Sequence, residues 1–395
     1  MLVNRVVSST VAGLVAVIVG FTSSVALIYQ TVINLGGDVN LAASWILALG
    51  LSMGLTSISL SLYYRIPILI AWSTPGAALL MANTQGFTLN EAVGGFIFCG
   101  AFIFLCGVTG LFEKLIRRLP FQLASAMLAG ILIKFGIDVF NQMNAQPILV
   151  ISMFVTYLIC KQLTPKFTML FVLLVSGLLA WQFKLVKSVE LTWQFSEFQY
   201  ISPIFSLEVL LGIGIPLFIV TMAAQNLPGI AVLKAHNYKT PVSSVLSVTG
   251  GVTLLTAPFG SYAINLAAIT AAICMTDEVS DKPEKRYWAT VAGGIFYIVM
   301  AIFAGYLMNL FSSLPTALIY ALAGIALFST ITNSIKQSLT DSKISEAAII
   351  TLLVTASDLS LFGISSVLWG IVAGSLTLFL QRILRRRAAI KNDGI

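Results

Sequence analysis

Small polar residues and prolines interrupt two otherwise apolar stretches of the chain. The first, IAWSTPGAALL, contains Ser73, Thr74, Pro75 and Gly76, and the second, TAPFGSYAINLAAI, contains Pro258. A hydroxyl residue before a proline is typical of a helix start, because the hydroxyl caps free N–H groups and proline lacks one. Two such starts facing each other would offer N–H donors and positive dipole ends to an anion. The alternative is that each proline only kinks a structural helix.

Neutral amides lie inside two further apolar segments. Gln225 and Asn226 interrupt IVTMAAQNLPGIAV, and Tyr262 and Asn265 follow Pro258 on what we expect to be a short helix. Polar groups in a membrane are costly unless they are paired or functional, and an amide can donate to a carboxylate. For each amide, hydrogen bonding between helices is an equally good explanation.

The sequence has few residues that could support enzyme catalysis. The sole histidine, His236, lies in a basic loop, so a histidine-based metal cluster or triad is not expected. The acidic residues between 277 and 284 alternate with basic ones, which favours a solvated loop over a cation site. No Walker motif is present, which argues against an ATP-driven pump. We therefore expect no catalytic residues and no metal, and an intramembrane enzyme stays a weaker alternative.

The elements that must position these residues are membrane helices. The chain has 395 residues, of which 58% are hydrophobic and 9% charged. Apolar stretches recur at the length that crosses a hydrocarbon core of roughly 30 Å as a helix, and they do not alternate as barrel strands do. Close helix contacts are expected at glycines such as Gly54, Gly250 and Gly294. We predict fourteen elements near residues 10–30, 42–62, 67–84, 92–112, 121–138, 146–161, 167–183, 205–233, 242–256, 258–275, 288–310, 316–334, 345–356 and 363–382.

The basic residues test this assignment. If both termini are cytoplasmic, 19 of the 22 Lys and Arg residues fall inside, and only Lys134, Lys184 and Lys187 fall outside. One missed crossing would scatter the later charges, so this bias supports the predicted topology. Because the charges flank apolar spans, they indicate a lipid bilayer rather than nucleic acid as the partner.

The two halves of the chain resemble each other. GLFEKLIRRLPFQLASAMLAGIL in the first half is similar to GYLMNLFSSLPTALIYALAGIA in the second. We predict a first repeat over 1–184, an external linker over 185–203 and a second repeat over 204–395. Seven elements per half is an odd number, so the repeat would be inverted, as in many secondary transporters. Chance similarity between apolar helices is the alternative.

Three strings carry a resemblance to a known family. IAWSTPGAALL at 70–80, MAAQNLPGIAVL at 222–233 and TAPFGSYAINLAAITAAI at 256–273 resemble the benzoate membrane transport (BenE) family of bacterial proton symporters. The resemblance implies an inner-membrane carrier that takes up benzoate with a proton and has no bound cofactor. It also implies a fold similar to that of uracil and sulfate permeases, with half-helices in the third and tenth elements. Elements 1–4 and 8–11 would form a core domain, and elements 5–7 and 12–14 a gate domain.

The family relationship also bears on the substrate. Uracil permeases hold a neutral base with acidic residues of the eighth and tenth helices, where this chain has Gln225, Asn226 and Asn265. This difference fits an anionic substrate, because carboxylates would repel it. It leaves the proton-carrying group unidentified.

These observations predict an all-α polytopic membrane protein with a seven-plus-seven inverted repeat, core and gate domains, and two half-helices preceded by short strands. We expect it to import benzoate or a similar aromatic carboxylate with a proton by alternating access. Carriage of another anion or a nucleobase, a channel, and assembly as a homodimer stay open. The candidate substrate-binding residues are Phe21, Ser23, Ser73, Thr74, Pro75, Gly76, Gln225, Asn226, Gly260, Ser261, Tyr262 and Asn265.

Overall fold

The structure, a computed structural model, describes residues 2–83, 86–111, 121–187, 195–357, 359, 361 and 366–392. Residues 188–194 of the predicted linker lie outside this range. Helices dominate the first half: α1 Leu2–Thr22, α2 Val25–Asn34, α3 Val39–Tyr64, β1 Ile70–Trp72, α4 Thr74–Asn83, α5 Leu89–Thr109, α6 Phe121–Asn141, α7 Pro147–Leu163 and α8 Thr168–Gln182. The second half has a similar order: α9 Leu207–Ala235, α10 Val242–Thr256, β2 Ile264–Leu266, α11 Ile269–Ile273, α12 Tyr287–Ile302, α13 Ala304–Ser313, α14 Thr316–Ser338, α15 Ser345–Ala356 and α16 Ser366–Asn392.

The predicted elements are present. Within the described residues, nine helical segments are long and apolar enough to cross a membrane when α1 and α2 are counted as one, and α12 with α13, bent by 63°, makes a tenth if that pair is one span. The shorter apolar helices α7 and α15 and the two strand–helix units β1–α4 and β2–α11 complete the fourteen. Large apolar side chains such as Leu55, Val108 and Leu178 are more than half exposed on the outside. This surface suits lipid rather than water, and the all-α membrane fold class is confirmed.

The two strands form an antiparallel ribbon inside the helix bundle. Ile70 lies opposite Leu266, Ala71 opposite Asn265, and Trp72 opposite Ile264. Each strand leads directly into a short helix, β1 into α4 and β2 into α11. The ribbon therefore joins two strand–helix units, one in each half of the chain.

The main helix contacts each join a helix of the first half to a helix of the second half. The most extensive contacts are those of α6 with α14, α5 with α10, and α3 with α12. Glycines allow the closest approaches: a Cβ built on Gly54 would lie 2.6 Å from the Gly294 carbonyl, and one on Gly250 would lie 2.3 Å from the Phe104 nitrogen. The expected role of these glycines in close helix contacts is confirmed. The division of the chain at residues 184 and 204 stays a prediction.

Helix α9 is not a regular α-helix. Two π-helical turns, Leu210–Gly214 and Met222–Asn226, widen it, and the second contains Gln225 and Asn226. Such bulges redirect side chains and are frequent at functional sites. The polar pair in the sequence thus marks a local change of backbone geometry.

Arg286 organises the loop after α11. Its side chain is buried, donates to the Met275 carbonyl at 2.6 Å and to the Ser280 carbonyl at 2.9 Å, and pairs with Asp277. The sequence predicts a solvated acidic loop here, and Asp277 is indeed exposed. The buried guanidinium is a departure from that prediction, because backbone carbonyls of the loop itself satisfy its donors.

Candidate functional site

A cavity of about 540 Å³ lies between the elements that the sequence predicts as core and those that it predicts as gate. Its volume is in the range of small-molecule sites, about 300–1,000 Å³. The core elements contribute one wall, with Val19, Ser23, Trp72, Gln225 and Thr270 among its residues. The gate elements contribute the other wall from α6, α14 and the ends of α7 and α8, with residues that include Ser125, Leu128, Tyr157, Ile325, Ser329 and Asn333.

The start of α4 borders this cavity. Ser73 Oγ accepts from the Gly76 N–H at 3.0 Å, so it caps the helix as the sequence predicts, and Pro75 is the second helical residue. Thr221 of α9 also donates to Ser73 Oγ at 3.1 Å. Ser73 is fully buried by these contacts, whereas Thr74 lines the cavity.

Gly76 allows α4 to approach α9 closely. A Cβ on Gly76 would lie 2.7 Å from Leu217 Cδ1 and 2.8 Å from Ser73 Oγ. Pro75 and Gly76 are absent from the cavity lining. Both residues therefore shape the start of α4 without lining the cavity.

The second helix start differs from the prediction. Pro258 does not open a half-helix but lies in a 3₁₀ turn, Ala257–Phe259, at the end of α10, and Gly260 follows at φ +91°. A residue with positive φ after a helix is a stop signal, so the chain runs on as β2 and α11 begins only at Ile269. Ala267, Ala268, Ile269 and Thr270 line the cavity at this second start.

Tyr262 and Asn265 are therefore not on a helix, and the expectation that they share a short helix is wrong. Tyr262 is buried between Trp45 and Phe96, with ring centroids 6.5 and 5.9 Å away. Asn265 lies in β2, and its Nδ2 donates to the Ala263 carbonyl at 3.0 Å. With Gly260 and Ser261, these residues lie outside the cavity lining.

The two amides of α9 have different surroundings. Gln225 is partly exposed and lines the cavity. Asn226 is fully buried, and its Oδ1 accepts from the Leu266 N–H of β2 at 3.0 Å. Only Gln225 is in a position to contact a molecule in the cavity.

The break between α1 and α2 holds the remaining candidates. Ser23 lines the cavity, and its hydroxyl donates to the Gly20 carbonyl at 2.9 Å. Phe21 is buried against Trp72, with ring centroids 5.9 Å apart. The cavity thus brings together Ser23, Thr74 and Gln225 of the twelve candidates, and the binding role of the whole set stays a prediction.

Trp72 and the gate wall are the residues that sequence reasoning missed. Trp72 lines the cavity, and its Nε1 donates to Ser24 Oγ at 2.6 Å. An aromatic residue just before a capped helix start was the available signal for Trp72. The gate hydroxyls and amides gave none, because such residues also occur at ordinary helix contacts.

The cavity has a strongly cationic lining. Lys161, Lys166 and Lys336 line it, and none of the described lining residues is Asp or Glu. All three are exposed and lie at the ends of α7, α8 and α14, so the cavity opens at that end of the bundle. Lys161 Nζ donates to Ser329 Oγ at 2.9 Å, which links α7 to α14.

Comparison with known protein families shows to which family this chain belongs. The family described as benzoate membrane transport protein (BenE) matches residues 4–380. The chain belongs to the BenE family. Membership confirms the resemblance seen in the three sequence strings, and it makes the chain a membrane transporter rather than an enzyme.

Two curated relatives cover nearly the whole BenE chain. Inner membrane protein YdcO of Escherichia coli (strain K12) is 42% identical over 376 residues, which are 95% of this chain and 96% of that protein. The benzoate membrane transport protein of Acinetobacter baylyi (strain ATCC 33305 / BD413 / ADP1) is 36% identical over 373 residues, 94% of this chain and 95% of that protein.

Solved structures share the BenE fold at low sequence identity. The inward-facing murine anion transporter Slc26a9 superposes with a TM-score of 0.61 at 14% identity, covering 96% of this chain and 68% of that one. The transmembrane domain of the cyanobacterial bicarbonate transporter BicA gives a TM-score of 0.62 at 13% identity, covering 93% and 96%. These similarities confirm a transporter fold.

Proposed function

We propose that this protein imports benzoate or a similar small aromatic carboxylate with a proton, by alternating access across a bacterial inner membrane. The observation that carries the proposal is the cavity between the core and gate elements, which two helix starts and three lysines line, with no acidic residue among the described part of its lining. The family match and the name of the Acinetobacter baylyi relative support benzoate as the substrate. The name of the Escherichia coli relative supports the inner membrane.

Recognition of the carboxylate would use neutral donors. Backbone N–H groups at the starts of α4 and α11 carry partial positive charge, and Thr74 and Gln225 add side-chain donors in the same cavity. Helix α11 has only five residues, so its dipole is weaker than that of the ten-residue α4. The donors near α4 and α9 therefore contribute most to anion binding.

Recognition of the ring would use the apolar part of the same cavity. Trp72, Leu128, Val220 and Ile325 line it between the polar groups. Trp72 is fixed by its hydrogen bond to Ser24, so its ring offers a rigid apolar surface. An aliphatic acid of equal charge would bury less area there and bind more weakly.

Alternating access would move the core elements against the gate elements. The lysines at the open end belong to the side that the positive-inside rule assigns to the cytoplasm, together with both termini. The structure would then represent an inward-open state. In the outward-open state, this end of the cavity would close and the opposite end would open, while the same helix starts would hold the substrate.

Proton coupling would not need an acidic residue in the cavity. The proton would travel with the substrate itself or through a chain of water molecules. In either case the pH gradient would drive accumulation of the aromatic acid inside the cell. A homodimer is compatible with this mechanism but is not required by it.

Transport in proteoliposomes tests this function. With an inward proton gradient, we expect saturable accumulation of radiolabelled benzoate above the external concentration, and an uncoupler should abolish it. Unlabelled aromatic acids should compete, whereas uracil and dicarboxylates should not. Uptake that merely equilibrates and is unaffected by the uncoupler would contradict proton symport.

A further inference from the structure

A two-stranded ribbon in a membrane protein has two edges without neighbouring strands. Each unpaired backbone N–H or C=O is costly away from water, so the edges need partners. In an antiparallel pair, successive residues turn their N–H groups alternately toward and away from the partner strand. Because Ala267 N donates to the Leu69 carbonyl at 2.9 Å, the N–H groups of Ile70, Ile264 and Leu266 point away from the ribbon.

Two serines of α3 form hydrogen bonds with unpaired backbone groups along the free edge of β1. Ser57 Oγ accepts from the Ile70 N–H at 2.9 Å. One turn further along α3, Ser61 Oγ donates to the Ile68 carbonyl at 2.8 Å. Both serines are completely buried, so water cannot replace them.

Two side chains of the second half satisfy the edge of β2. Thr253 Oγ1 of α10 accepts from the Ile264 N–H at 3.3 Å. Asn226 Oδ1 accepts from the Leu266 N–H at 3.0 Å, while Asn226 Nδ2 contacts Met222 Sδ. Both residues have no exposed surface.

This use of side chains differs from the usual behaviour of helical hydroxyls. A buried Ser or Thr in a helix commonly donates to the carbonyl one turn earlier, as Thr249 does with the Val245 carbonyl at 2.9 Å. Ser57 and Thr253 also have corresponding positions in the two halves. They accept from Ile70 and Ile264, which flank the central Ala71–Asn265 pair at equivalent places.

We propose that Ser57, Ser61, Thr253 and Asn226 are positioning residues that hold the ribbon, and with it the starts of α4 and α11, in the geometry that binds substrate. The proposal deepens the proposed function and rests on it. It gives Asn226 a role through the β2 backbone instead of direct contact with the substrate.

Substitutions of Thr253 test this role in the full-length protein. Thr253→Val keeps the shape of the side chain and leaves the Ile264 N–H without its acceptor, whereas Thr253→Ser keeps the acceptor. We expect Thr253→Val to weaken benzoate binding by about tenfold or more, since supporting contacts around a site have effects of this size. Thr253→Ser should bind within about threefold of the unaltered protein. The control Thr249→Val, on the same helix, should bind normally.

Binding is measured by scintillation proximity on purified, monodisperse protein, so that the folded fraction alone is compared. A purely structural role would lower the yield or the melting temperature but leave the dissociation constant unchanged. Equal affinity of Thr253→Val and the unaltered protein would therefore overturn the proposal. Ser57→Ala provides a second variant, on the other strand, if Thr253→Val is not recovered.

Backbone hydrogen exchange gives a readout that does not depend on the substrate. Peptides that contain residues 264–267 should exchange faster in Thr253→Val than in Thr253→Ser or Thr249→Val, and those with residues 68–72 should do so in Ser57→Ala. Unchanged exchange in both variants would refute the positioning role. Failure of the unaltered protein to bind benzoate would refute the proposed function, while the exchange result still decides whether these side chains hold the ribbon.

Discussion

Gln225 is the amide that lines the cavity. A negatively charged substitute at this position should reduce benzoate uptake more than an apolar one. Gln225→Leu removes a donor, so we expect KM for benzoate to rise by about tenfold, the size of one hydrogen bond to a charged group. Gln225→Glu keeps the shape but adds a negative charge beside an anionic substrate, so uptake should fall below that of Gln225→Leu. Initial uptake rates in proteoliposomes, normalised to the amount of folded protein, measure both effects. Equal rates for the two variants would argue against carboxylate binding near Gln225.

The lysines at the open end should act on the substrate through charge alone. We expect Lys166→Gln combined with Lys336→Gln to raise the KM for benzoate efflux, measured from the lysine-lined side, by a few-fold. The effect should shrink at high salt, because exposed charges are screened beyond roughly 10 Å at 0.1 M. Lys343→Gln is the matched control, since this lysine is predicted on the same side but does not line the cavity. An effect that persists in high salt would indicate direct contact instead of steering.

Candidate residues could be predicted from the sequence where a polar group interrupts apolar sequence. That signal found Ser23, Thr74 and Gln225 in the cavity, but it could not separate Gln225 from Asn226, because neighbouring residues of a helix point about 100° apart and residue type does not show which of them faces the cavity. It also gave no hint of Ser125 or Ser329, whose types are common at helix interfaces.

At the scale of elements, the close glycine contact between α3 and α12 should make the stability of the protein sensitive to any added side chain. In Gly294→Ala the new Cβ would lie 2.7 Å from the Gly54 carbonyl, so the helices must separate. We expect a destabilisation of about 1–3 kcal/mol, as for other overpacked contacts. Thermal unfolding of the detergent-solubilised protein, followed by size-exclusion chromatography, should show a lower midpoint. Gly177→Ala is the control, because no atom outside its own stretch of helix lies within 4 Å of its Cβ position. An unchanged midpoint for Gly294→Ala would contradict the close packing.

The start of α4 was predictable and the start of α11 was not. Ser73 before Pro75 is a recognisable cap, and Ser73 Oγ does accept from the Gly76 N–H. Helix α11 begins after Ala268 without a capping side chain, so no residue type marks its start. Pro258 looked like the counterpart of Pro75, yet Gly260 makes it part of a helix end.

At the scale of the whole molecule, the order and number of elements followed from apolar length and charge placement. These signals are strong because lipid imposes one length on every crossing and the basic residues mark one side. The packing of the halves and the ribbon between them depend on contacts distant in sequence, which apolar periodicity does not report.

Access to the cavity should be one-sided in the conformation described. In a background without Cys99, Cys106, Cys160 and Cys274, Ser125→Cys should react with a membrane-impermeant thiol reagent added to the lysine-lined side. Benzoate should slow this reaction, since Ser125 lines the cavity. Inside-out and right-side-out vesicles distinguish the two faces. Reaction from the opposite face alone would refute the predicted orientation or the inward-open state.

The antiparallel pairing of β1 with β2 has a consequence for energetics. Because hydrogen bonds connect the two strands, the donors at both helix starts would move as one body in the proposed alternating-access cycle. A receptor of constant shape has the same intrinsic affinity on both faces of the bilayer. Influx and efflux would then start from the same site affinity, and, as for any coupled carrier, the concentrations and the proton-motive force would set the direction of net flux.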